Sequence, residues 1–194
     1  EIIKGHVSLG SLRIRQDYLI AQGLYNQPYN KLSVHEQTML DMALNRIRQL
    51  SAHEIGHTLG LAHNFAASTN GDASVMDYPH PKIELKNNEI NFENAYSAGI
   101  GEWDKIAVAY SYSEFSKTED DLKALNDILN NASIKGLRFI TDSDARASGS
   151  AHAFAHLWDN GKNPINELDA VLQVREKAIS NFSVDNIRTF EPYS

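Results

Sequence analysis

The 194-residue chain contains no cysteine. That absence removes disulfide staples, thiolate nucleophiles and thiolate zinc knuckles together, and leaves His, Asp, Glu and Tyr to hold any metal. Basic runs are missing as well. The formal net charge is -7, and no stretch of Lys and Arg offers a footprint for nucleic acid or an anionic membrane surface. No apolar run approaches the roughly 20 residues that span a bilayer. The first residue is Glu1 and no signal-type hydrophobic region follows it, which reads as a segment cut from a longer precursor. Neither an internal repeat nor a low-complexity linker interrupts the chain. With 42% hydrophobic residues, one core-forming domain with at most a small appendage is expected.

What the chain does have is histidine, eight in all, with three gathered in SAHEIGHTLGLAHN at 51–64. Ser33 and Glu36 have the form of a capping box that opens a helix over 34–59, with Leu40, Ala43, Leu44, Ile47, Leu50 and Glu54 on one face. On such a helix His53 and His57 stand one turn apart and project together, so both imidazoles reach one cation. Zinc needs at least one more protein ligand and, for chemistry, an open position for water. His63 supplies the third ligand if the helix stops and the chain swings back. Gly60 stands where a residue of positive φ would make that turn. Glu54 is then left free of the metal, placed to act on a zinc-activated water as general base and acid.

Around this helix, 1–10 alternates and reads as a strand, and 11–24 as a strand followed by a short helix. Residues 60–101 are rich in turn formers and read as a long irregular, functional segment. Helices are expected over 101–112, 119–132, 151–161 (closed by Gly161) and 163–182 (Asn163 as cap, Pro164 at the first position), with a short strand at 136–140 and a loop at 141–150.

The unbroken pattern His53, Glu54, His57, Gly60, His63 resembles the extended signature of the metzincin clan of zinc endopeptidases. Downstream, ASVMDYPHP is similar to the clan's Met-turn, which makes Met76 the apolar floor beneath the zinc histidines. Tyr78 matches the position of a tyrosine that in astacins and serralysins binds zinc or stabilises the oxyanion; packing within the turn is the other reading of it. SAGIGEWDKIAVAYSY is similar to the helix after the Met-turn in matrixins and serralysins. With TDSDAR and AHLWDNG further on, the chain looks like large secreted bacterial zinc-dependent metalloproteases. Asn64 departs from the Ser, Glu or Asp that follows the third histidine in matrixins, astacins and adamalysins.

The resemblance implies an α+β, zincin-like catalytic domain, mostly helical here because its upstream strands are absent. It implies a catalytic core over 1–116, with the first strand as substrate-binding edge, and a helical extension over 117–194 packed on the same domain. Zinc is the implied cofactor, a peptide or protein the partner, and an extracellular or periplasmic location the setting. A zinc hydrolase of a non-peptide amide or ester, and a catalytically silent zincin-like binding module, are the alternatives. Two features stay open. His152 and His156 could hold a second metal or be a packed pair, and Asp142, Asp144 and Arg146 could form a calcium loop, a surface turn or a brace for the active site.

Overall fold

The computed structural model describes residues 4–26, 35–116, 120–149, 152–187 and 189–190. Six helices run through it: α1 (Ser11–Tyr25), α2 (Glu36–Thr58), α3 (Glu102–Tyr112), α4 (Asp121–Ile134), α5 (Asp142–Ala145) and α6 (Pro164–Ser180). One antiparallel hairpin, β1 (Glu84–Lys86) and β2 (Glu89–Asn91), is the sheet among the described residues. No helix among them is long and apolar enough to cross a membrane. The chain folds as two compact units, one of Glu1–Val7, Leu50–His80 and Gly99–Pro164, the other of Ser8–Gln49, Pro81–Ala98 and Ile165–Ser194.

The second of these units is built around Ala21, Met39, Met42, Ile90, Phe92, Ala95, Tyr96, Val174 and Ala178. Its α1 is a single helix where a strand and a short helix were expected over 11–24. Asp17 hid the period, because it lies on the buried face with Ala21. The carboxylate is fully buried yet partnered: Arg13 Nε lies 3.2 Å from it and the Tyr96 hydroxyl donates to it at 3.3 Å. Burial raises the Asp17 pKa against the pull of Arg13 and Arg46, and burial together with the Asp17 charge pushes the Tyr96 phenol up to about 12. A left-handed Asn26 (φ 44) closes α1. The hairpin turns on Asn87 and Asn88, both at positive φ (54 and 63), as a two-residue loop that follows strand twist requires.

α2 starts at Glu36, while the Ser33 of the expected capping box lies outside the described residues. Its buried face is Met39, Met42, Ala43, Arg46, Gln49 and His53, about one residue out of phase with the expected stripe, and Leu40 is exposed. The phase differs because Arg46 and Gln49 are buried as polar groups, Arg46 over the Tyr96 ring (5.3 Å to its centroid). A stripe read from apolar residues alone passes over them.

In the first unit, Phe65, Ala66, Ile140 and Ala155 form the core, with Tyr78, Ala145 and Leu157 packed on it. α4 is N-capped by Asp120, which accepts from Leu122 N (3.0 Å) and Lys123 N (3.3 Å). Four expectations fail here. Residues 4–10 form no strand, since no sheet among the described residues offers them a partner; 1–3 lie outside those described. Residues 136–140 form no strand either, and α5 occupies part of the expected loop at 141–150. The described residues of 151–161 are irregular rather than helical. There the His152 ring takes the Phe154 N–H (3.2 Å) and the Trp158 N–H goes to the Tyr78 carbonyl (2.9 Å), so bonds a helix would need are spent elsewhere.

Candidate metal centre

The centre begins with the last turns of α2, which carry His53, Glu54 and His57. Between the histidines Gly56 is buried, and a Cβ built there would overlap the Met76 sulfur. The helix ends in a Schellman motif: Leu61 N donates to Gly56 O (3.1 Å) and Gly60 N to His57 O (3.0 Å), with Gly60 at φ 82. The left-handed turn at Gly60 sends the chain back, and His63 meets the two helical imidazoles. Ring centroids lie 4.7 Å (His53 to His57), 4.7 Å (His57 to His63) and 5.3 Å (His53 to His63) apart.

Each ring is fixed through Nδ1. His53 Nδ1 lies 2.7 Å from Val75 O, His57 Nδ1 2.9 Å from Leu61 O, and His63 Nδ1 2.7 Å from an Asp142 carboxylate oxygen. Carbonyls and carboxylates accept only, so each Nδ1 carries a proton and Nε2 is the nitrogen each ring has left for a metal. His57 Nε2 and His63 Nε2 stand 3.1 Å apart. A shared cation is what brings two such nitrogens together by their lone pairs. A tetrahedral zinc with bonds of roughly 2.0–2.1 Å spaces its nitrogens at about 3.3–3.4 Å. His53 Nε2 is buried and has no protein partner. One ligand atom from each of the three lies within 4.8 Å of the others. Burial lowers the pKa of His53, which favours the neutral form that binds metal.

The floor is anchored by α3. Asp104, buried near the start of that helix, accepts from Gly101 N (2.7 Å), Val75 N (2.9 Å) and the Ser74 hydroxyl (2.5 Å). Val75 in turn holds His53, so the anchor reaches the metal site in two steps. Met76 is buried under the α2 histidines, and its carbonyl accepts from Asn64 N (3.0 Å). Asp77 accepts from Ser68 N (3.1 Å) and Tyr78 N (2.7 Å); burial raises its pKa to about 7 against those two bonds, with Asp159 and Asp72 adding to the rise. The Tyr78 ring packs on His53 (5.0 Å), His63 (4.8 Å) and Trp158 (5.4 Å). Glu54 is half-buried, and its charge acts on His53.

Among the described residues, His53, His57 and His63 are the one group of potential ligands spaced to share a metal. His152 and His156 are not one helical turn apart, because no helix forms there; His152 is bridged to Ala155 instead. Asp142 is spent on His63, which favours the brace among the readings open for it. The sequence reading did not single out Gly56. Its signal was a glycine inside an active-site helix ahead of a methionine turn, where only a missing side chain admits the sulfur.

The chain belongs to the Met-zincin family, whose model matches residues 35–194. Its cofactor is zinc, on the strength of that membership and the three-histidine group. No curated protein and no solved structure gives a significant match.

Proposed function

We propose that the protein is a zinc-dependent endopeptidase, with residues 1–116 as catalytic core and 117–194 as a helical extension of it. The observation that carries this reading is a set of three protein ligands, among the described residues, with a carboxylate beside them that is not a ligand. A structural zinc site closes its fourth position with protein and has no use for such a carboxylate. Bound zinc supplies Lewis acidity toward the scissile carbonyl and acidifies a water. Glu54 takes the proton of the attacking water and returns it to the leaving amine, work worth on the order of 10²–10⁴-fold in rate. Tyr78, packed against two of the zinc histidines, offers its hydroxyl to the developing oxyanion. Secretion to the periplasm or beyond belongs to the same proposal and rests on the likeness to large secreted bacterial metalloproteases.

The test is the zinc content of the purified protein and its cleavage of a mixture of unfolded proteins, with Glu54→Ala and Tyr78→Phe beside it. One zinc per chain is expected, with cleavage abolished in Glu54→Ala and slowed in Tyr78→Phe. Undiminished cleavage by Glu54→Ala would overturn the mechanism. Zinc without cleavage would favour a non-peptide hydrolase or a silent binding module.

A further inference from the structure

Two of the three zinc histidines are placed by a helix, and the third is not. His53 and His57 inherit their spacing from α2, whereas His63 lies past the Schellman turn in chain without regular secondary structure. Its ring direction depends on what meets its Nδ1, and that is Asp142, 79 residues further along at the start of α5. The Asp142 side chain is 50% exposed, so its own surroundings do little to fix it. Its backbone does that work instead.

The means is Asn64, the residue next to His63. Asn64 is fully buried, and its amide donates to Arg138 O (2.8 Å) while its oxygen accepts from Ile140 N (3.2 Å) and Ala66 N (3.3 Å). Phe65 N donates to Ile140 O (2.9 Å). Residues 138–140 are thus stitched to 64–65 as closely as a strand would be, two residues before the carboxylate that His63 uses. Both ends of the Asp142 contact are tied to one side chain.

We propose that residues 138–142 form a strap across the metal site, in which Asn64 sets the backbone and Asp142 is the positioning residue for His63. The carboxylate accepts the Nδ1–H hydrogen bond, keeps the Nε2 lone pair aimed at the other two histidines, and makes the imidazole a stronger donor. The zinc affinity of the site is then set in part by a carboxylate that lies outside the signature motif. The inference rests on the metal site and not on peptide hydrolysis, so its outcome is read without activity.

The experiment measures zinc affinity by competition with a chromophoric chelator, and the visible spectrum of the Co(II)-loaded protein, for the parent, Asp142→Ala and Asp142→Asn. Asp142→Ala is expected to weaken zinc binding by on the order of 10–100-fold and to shift the Co(II) bands. Asp142→Asn, which keeps an acceptor but loses the charge, should fall between. The melting temperature of the metal-free protein should not move, since the side chain is half exposed. Affinity in Asp142→Ala within about twofold of the parent overturns the strap, and so does a loss matched by equal destabilisation of the metal-free protein. Asn64→Ala should weaken zinc binding in the parent and add little in the Asp142→Ala background; equal factors in both would remove Asn64 from the strap. A failed peptidase reading leaves all of these affinities unchanged.

Discussion

Asp77 carries a cost that single residues rarely carry. Its carboxyl is buried in the methionine turn beside Asp159 and Asp72, and its pKa is raised to about 7 from an ordinary 3.8. A raised carboxyl pKa means that the folded chain holds a proton the unfolded chain has already released. Stability from this group is full below about pH 4 and is lost as pH rises toward 7, by up to roughly 4 kcal/mol over the window. In the metal-free protein, Asp77→Asn should flatten this fall. Urea midpoints between pH 4.5 and 7.5 check it, and parallel curves for parent and variant would contradict it. Nothing in the sequence announced this residue, because an Asp before an exposed-looking Tyr-Pro reads as turn chemistry. By contrast His53, His57, His63 and Gly60 were plain, since helical period and a left-handed turn are local properties and local properties are written in adjacent residues.

At the scale of the element, α3 acts as an anchor as much as a helix. Asp104 satisfies Gly101 N, Val75 N and the Ser74 hydroxyl, and Trp103 N reaches Ala73 O at 2.8 Å, so the start of the helix is bonded to the methionine turn. Removing the carboxylate strands buried donors, each worth about 1–3 kcal/mol. Asp104→Ala should cost roughly 3 kcal/mol or more in urea unfolding and also weaken zinc binding, because Val75 orients His53; a variant with unaltered zinc affinity would show that the turn stands without its anchor. The long helices α4 and α6 were readable in advance. Two of the elements misread from sequence share one cause, a polar side chain whose partner is remote. Asp17 masked α1 because Tyr96 was needed to explain it, and Arg46 shifted the apparent face of α2 for the same reason. The expected helix at 151–161 failed when its N–H groups found His152 and Tyr78 instead.

For the whole molecule the two compact units divide the consequences of metal binding. The zinc histidines, the methionine turn and the strap all belong to the unit of Leu50–His80 and Gly99–Pro164, while the buried Asp17, Arg46 and Tyr96 group belongs to the other. A ligand at a thousand times its Kd stabilises what binds it by about 4 kcal/mol. Chelating the zinc should accordingly speed amide hydrogen exchange at 53–76 and 138–142 far more than at 14–25 and 90–96; equal acceleration everywhere would mean that the chain opens as one body. The strap has a further consequence, in the order of events during synthesis. His53, Glu54 and His57 leave the ribosome together, but the carboxylate that completes the third ligand follows His63 by 79 residues, roughly 4–16 s at ordinary elongation rates. For that interval the nascent chain displays its three histidines without the brace on the third, and the site reaches its full zinc affinity only once translation has passed α5.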